Sequence, residues 1–128
     1  MASAAVDTNV VVRVIVGDDV REAKRALARL AEPGWISHVI LKETMWVLRR
    51  IYEYDAPAIC EVLEGLLMND VFVVEEPLVV GAALERLKEN PTIGFHDCLA
   101  LEVARARGHL PLLTFDKALA KLEGAELV

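Results

Sequence analysis

Cysteine is scarce in this chain: Cys60 and Cys98 are the only two among 128 residues. Neither belongs to a close Cys or His cluster of the kind a structural zinc site needs, and both read most simply as buried, reduced thiols. Basic residues are also in deficit, with 14 Lys and Arg against 20 Asp and Glu and a net charge of −6. That balance disfavours a tight, non-specific nucleic-acid binder, because such affinity comes mainly from neutralising phosphates. The objection weakens if several acids hold a metal, since a bound cation reverses the local field. No run approaches the ~20 apolar residues of a membrane span. Met1 to Val6 offers no basic start and no long apolar segment, so it does not read as a signal peptide. These absences predict a soluble, cytoplasmic protein with no membrane association. What is abundant is apolar side chain, 55% of the sequence, enough for one compact domain over residues 1–128 with a real core.

Short apolar or β-branched runs alternate with longer segments of helical period. The runs are Ala4-Ala5-Val6, Trp35-Ile36-Ser37, Val71-Phe72-Val73-Val74 and Leu112-Leu113-Thr114, with Glu126-Leu127-Val128 as a fifth. Runs without alternation suggest strands buried on both faces, and strands alternating with helices suggest parallel units, so the fold class is α/β. Asp18 or Asp19 marks a helix start that Pro33-Gly34 closes; Asp55, with Pro57 in the first turn, marks another. Pro77 opens a helix ending near Asn90-Pro91, and Gly108 ends one that starts around Gly94 or Phe95.

Four acids sit in unusual places. Asp7 directly follows the first run, and Asp116 lies just past Leu112-Leu113-Thr114. That is the C-terminal strand edge where open parallel α/β sheets bind ligands. Glu43 lies on a helix from about His38 to Tyr52, flanked at i−4 and i+4 by Val39 and Val47. Asp97 shares a helical side with Ala100, Leu101 and Ala104. Both are expected to face inward. Clustered or buried carboxylates need compensation, and Mg²⁺ is the natural compensator, taking oxygen ligands and leaving positions for phosphate oxygens. Each acid also has a plain structural reading. Asp7 can cap a helix beginning near Asn9, Glu43 can pair with Arg50, Asp97 can complement a helix dipole, and Asp116 can cap Lys117 to Leu122. It is the set of four that favours a metal site.

The stretch Val6-Asp7-Thr8-Asn9-Val10-Val11-Val12-Arg13 resembles the opening of PIN-domain ribonucleases, especially the VapC-like toxins of toxin–antitoxin pairs. Ile40-Leu41-Lys42-Glu43-Thr44 resembles the segment of their second acid, Gly94-Phe95-His96-Asp97-Cys98-Leu99-Ala100 that of the third, and Leu113-Thr114-Phe115-Asp116-Lys117 that of the fourth. The resemblance runs over essentially the whole chain and implies a five-stranded parallel sheet flanked by helices on both faces. It implies RNA phosphodiester hydrolysis at Asp7, Glu43 and Asp97, which hold Mg²⁺ or Mn²⁺, with Asp116 completing the site. Thr8, Asn9 and Thr114 would be supporting polar groups, although Thr114 can equally serve a turn. His96 and Cys98 beside the third acid receive no catalytic role.

Arg13, Lys42, Arg49, Arg50 and Lys117, near the motifs in sequence, are the candidate RNA contacts, with Arg13 and Lys117 foremost; Lys42 and Arg49 read better as the solvated side of their helix. The resemblance further implies a homodimer and a VapB-like antitoxin whose C-terminal segment occupies the acidic site. Trp46, Leu63, Leu66, Leu67 and Met68 offer apolar surface to a core or an interface, with the core preferred.

The alternative function is a non-catalytic PIN-fold binding or scaffold module, whose signature would be a degenerate site. A phosphatase with an aspartyl nucleophile is disfavoured because Asn9 stands where its second Asp would be. A phosphoacceptor receiver is disfavoured because Val71 to Val74 runs into Glu75-Glu76, with no Asp at its end.

Overall fold

A computed structural model describes residues 3–128; the first two residues of the N-terminal segment lie outside the described residues. In chain order the elements are α1 (Thr8–Val16), α2 (Val20–Arg29), β1 (Gly34–Ile36), α3 (His38–Arg50), α4 (Ala56–Met68), β2 (Phe72–Val74), α5 (Pro77–Glu89), α6 (Phe95–Ala106), β3 (Leu112–Thr114) and β4 (Ala125–Leu127). A 3-10 turn at Leu119–Lys121 precedes β4. Two compact units result, one reaching to Pro77 and the other spanning Leu78–Val128.

In the first unit the chain enters as an extended segment whose Ala5 bridges in parallel to Trp35. The Val6 amide donates to the Trp35 carbonyl at 3.0 Å, and the Trp35 amide donates to the Ala4 carbonyl at 2.8 Å. On its other side β1 pairs in parallel with β2, Gly34 opposite Phe72 and Ile36 opposite Val74. The side chains of Asp7, Asp19, Ser37 and Asp55 each accept an amide hydrogen three residues on, which starts α1, α2, α3 and α4. Helix α4 carries Pro57 in its first turn, where a missing N–H costs nothing. Val11, Val12, Ile36, Leu41, Leu48, Ile59 and Leu63 are buried to within a few per cent. Thr44 is buried among them, and its hydroxyl is satisfied by the Ile40 carbonyl at 2.7 Å.

In the second unit β3 pairs in parallel with β4, Leu112 opposite Ala125 and Thr114 opposite Leu127. Val80, Ala83, Leu84 and Leu87 of α5 and Cys98, Leu99 and Leu101 of α6 are buried. Glu102 is buried too, only 4% exposed, between Arg86 at 3.5 Å and Arg105 at 3.2 Å. The same Arg105 guanidinium donates to the Glu123 carbonyl at 2.5 Å. A Cβ at Gly124, which has φ +97, would lie 2.9 Å from that guanidinium, so glycine is required there. A buried carboxylate thus ties α5, α6 and the entry to β4 together.

The α/β expectation holds, with six α-helices, but the sheet differs from the five-stranded one expected: the described residues contain two parallel strand pairs and an isolated bridge. All five sequence runs fall on these pairings, yet each regular strand is only three residues long. The cause is local, since Ser37 follows β1 at once and caps α3 instead of extending the strand. The strands are also not buried on both faces: Trp35 is 37% and Val73 40% exposed, opposite one another in the ladder. Of the apolar residues weighed as core or interface, Leu63 and Leu66 are buried while Trp46 and Met68 are exposed. Cys98 is buried and Cys60 half-buried, and both are thiols.

Packing makes Gly34 a sensitive position, because a Cβ there would meet Val6 Cγ1 at 2.9 Å and Phe72 Cδ1 at 3.2 Å. Gly34→Ala is expected to destabilise by ~1–3 kcal/mol through overpacking. Gly65→Ala, with nothing within 4 Å on α4, should stabilise by ~0.4–1 kcal/mol. Urea unfolding of both variants checks the pair of opposite signs.

Candidate active site

Asp7 is placed by the turn from extended chain to helix. Its backbone is extended, φ −95 and ψ 177, and its Oδ1 accepts from the Val10 amide at 3.4 Å. The next residue, Thr8, opens α1 and reaches across 35 positions of sequence to donate its hydroxyl to Glu43 Oε2 at 2.8 Å. Two of the sequence-predicted site residues are therefore brought together by a direct bond between α1 and α3. Glu43 is exposed, off the buried stripe of Leu41, Thr44, Met45 and Leu48, and its partner is Thr8, not Arg50. The expectation that Glu43 faces the core is corrected accordingly: Val39, one turn earlier, is 65% exposed. Asn9 is exposed beside Asp7.

In the second unit Asp97 lies half-buried in the first turn of α6, where Gly94 provides no side-chain cap. An acid in that turn complements the amide dipoles. Asp116 is exposed; its Oδ1 accepts from the amides of Ala118 at 2.8 Å and Leu119 at 3.1 Å. The Asp116 amide in turn donates to Thr114 Oγ1 at 3.0 Å, so Thr114 does serve a turn and holds Asp116 past the end of β3. No hydrogen bond joins Asp97 to Asp116 among the described residues.

A common pattern emerges for Asp7, Glu43 and Asp116. One carboxylate oxygen is engaged by an amide or hydroxyl donor, which fixes the side chain, and the other oxygen of each accepts no hydrogen bond among the described residues. The capping reading of Asp7 is realised in this way; Asp116 instead closes a turn ahead of the 3-10 segment Leu119–Lys121, whose N-cap is Ala118 with no side-chain cap, so no helix over Lys117 to Leu122 starts at Asp116. Capping uses a single oxygen and does not exhaust the ligand capacity of a carboxylate.

The profile of the PIN domain matches residues 4–125. The chain belongs to the PIN-domain family. Among solved structures, the toxin VapC20 of Mycobacterium tuberculosis, described as cleaving the sarcin-ricin loop, is 23% identical. That likeness covers 97% of this chain and 98% of the other, with a TM-score of 0.44. No protein with a curated description matches significantly.

The four acids of this PIN domain, like Thr8 and Asn9 beside Asp7, offer oxygen donors and no thiol or imidazole. Such donors fit a hard divalent cation of the Mg²⁺ or Mn²⁺ kind better than a thiophilic one. Sequence reasoning passes over one further group. His38 at the start of α3 and Glu75 and Glu76 just past β2 place one potential ligand atom each within 4.8 Å of one another. The available signal is the Glu75-Glu76 pair at the C-terminal end of a strand, the same kind of position that singles out Asp7 and Asp116.

Arg13 does not present a free guanidinium. It lies 3.4 Å from Glu22 and 3.7 Å from Asp18, and it donates to the Tyr52 hydroxyl at 3.4 Å. The Glu22 carboxylate, through hydrogen bonding and charge, holds Arg13 above even its usual high pKa. Lys117 is exposed. In the same cluster Asp19 is held below its ordinary value of 3.8, first by the Glu22 amide that its carboxylate caps. A depressed folded-state pKa contributes stability that is present above the unfolded value and lost as pH falls through the folded one. The melting temperature should therefore drop below about pH 4, and Asp19→Asn, which can still cap, should lose this component of the drop. Thermal melts of both proteins between pH 6 and pH 3 check it.

Proposed function

We propose that this PIN domain is a divalent-metal-dependent endoribonuclease and acts as the toxin of a toxin–antitoxin pair. The observation that carries the reading is the disposition of the acids: Asp7 and Asp116 each lie two residues past a parallel-paired position, and each is held by one oxygen with the other unengaged among the described residues. The family profile covers Asp7, Glu43, Asp97 and Asp116 together, which supports one PIN domain over the whole chain.

In this reading Asp7, Glu43 and Asp97 hold Mg²⁺, with Mn²⁺ as a substitute, and Asp116 completes the site. When bound, the cation polarises the phosphodiester and lowers the pKa of the attacking water. The chain's own residues set the geometry. The Thr8 hydroxyl donates to Glu43 Oε2 and so orients that carboxylate, leaving Oε1 as its ligand oxygen. The Val10 amide does the same for Asp7 through Oδ1, and the Ala118 and Leu119 amides do so for Asp116. Asn9, beside Asp7, adds a neutral oxygen donor. Lys117, adjacent to Asp116, is the better candidate for an RNA phosphate contact, because Arg13 would have to give up its bonds to Glu22 and Tyr52.

A VapB-like antitoxin and a homodimer complete the proposal. An exposed set of carboxylates is open to a basic residue of an inhibiting segment, and Trp46 and Met68, 58% and 85% exposed, supply apolar surface in the first unit. Among the described residues no helix is long and apolar enough to cross a membrane.

The test is cleavage of mixed cellular RNA by the chain purified without any partner, in Mg²⁺ or Mn²⁺ and in EDTA. Cleavage is expected to require metal and to vanish in Asp97→Asn. Thr8→Val, which removes the donor to Glu43, should lower the rate by roughly 10–100-fold. Equal inertness of wild type and Asp97→Asn on every RNA and metal would sink the nuclease reading in favour of a scaffold module.

A further inference from the structure

Two parallel strands end beside one another in the first unit, and both ends run directly into residues able to bind a metal. After β1 the chain passes Ser37 and starts α3 with His38; after β2 it continues into Glu75 and Glu76. The two ends are fastened by the Glu75 amide donating to the Ile36 carbonyl at 2.9 Å and by the His38 amide donating to Glu75 Oε1 at 2.8 Å.

The imidazole of His38 is fixed as well. Its Nε2 lies 2.8 Å from the Glu75 carbonyl oxygen. A carbonyl oxygen can only accept, so Nε2 carries the proton, and in the neutral ring Nδ1 presents a lone pair. That lone pair lies 3.9 Å from Glu75 Oε1, which is also an acceptor. A third acceptor comes from Glu76: His38, Glu75 and Glu76 place one potential ligand atom each within 4.8 Å of one another.

Magnitudes decide what such a set suits. Nitrogen and oxygen atoms on one Zn²⁺ lie about 2.0–2.2 Å from it, so two ligands stand roughly 3.3–4.2 Å apart as the angle between them opens. The 3.9 Å separation of Nδ1 and Oε1 falls in that range and is too long for a hydrogen bond between them. A metal-ligating histidine characteristically donates its other ring N–H to a backbone carbonyl, and the Glu75 carbonyl provides that acceptor. The His38 side chain is 15% and that of Glu75 31% exposed, and Glu76 is exposed, so the group is partly shielded and still accessible to an ion.

We propose that His38 Nδ1 and the carboxylates of Glu75 and Glu76 form a second cation site, selective for a borderline divalent ion such as Zn²⁺. It is chemically distinct from the oxygen-only acids, because an imidazole nitrogen favours late first-row metals over Mg²⁺. An ion there clips the ends of β1 and β2 to the start of α3, and binding only the folded chain raises its stability.

The experiment uses the full chain, stripped with a chelator and titrated with Zn²⁺ alone in excess Mg²⁺, with calorimetry and thermal melting as readouts. One Zn²⁺ is expected to bind at micromolar concentration and to raise the melting temperature. Asp97→Asn should leave both effects intact, which separates this site from the proposed nuclease centre. His38→Gln and, independently, Glu76→Gln, which lies outside α3, should each weaken binding at least ~10-fold and abolish the shift. Absence of binding by the wild type would overturn the proposal. Binding retained in both variants would overturn it equally.

Discussion

The change of direction at Val6, Asp7 and Thr8 is the constraint on which the first unit depends. The Val6 amide is committed to the Trp35 carbonyl, and one residue later Asp7 already caps α1. The chain thus goes from ladder to helix with no loop between, which forces Asp7 to the C-terminal edge of the parallel pairing. Thr8 comes next as the first helical residue, and its hydroxyl then has α3 within reach. The same device recurs where Ser37 ends β1 and starts α3. Strands kept this short make the edge of the pairing, not its middle, the place where polar side chains gather.

The side-chain cap at Asp7 and the turn closed by Asp116 give each of these acids two tasks. A cap takes one carboxylate oxygen and stabilises the helix by about 1 kcal/mol; the remaining oxygen is held in a known direction at the surface. Structural and ligand-binding readings of Asp7 and Asp116 are therefore complementary. The exposure of Glu43 changes the argument for a cation more substantially. Its carboxylate needs no metal to offset burial; what recommends it as a ligand is the Thr8 hydroxyl that holds its orientation.

Different physical terms govern the second unit. Glu102, with two arginines around it, is the only buried charge among the described residues. Buried ion pairs contribute little net stability, but removing one partner costs several kcal/mol, so this triad specifies how α5, α6 and the chain before β4 meet. Gly124 is part of that specification, since any side chain there would displace Arg105.

Much of this was legible in the chain itself, because it rests on local chemistry. Asp19, Asp55 and Pro77 mark helix starts through amide satisfaction and fixed φ, and the apolar runs mark the ladder positions; neighbours in sequence suffice for both. Family membership was readable from four short segments in order, because the residues that carry them are side chains of defined chemistry at strand and helix ends. Only the tertiary structure decided burial and partnership. Periodicity around Glu43 suggested an inward face, yet which stripe of a helix is covered depends on what packs against it. The bond from Thr8 to Glu43, the capture of Arg13 by Glu22 and Tyr52, and the meeting of His38 with Glu75 and Glu76 join residues 9 to 39 positions apart. Contacts of that span are set by the path of the backbone in space, which local pattern does not encode.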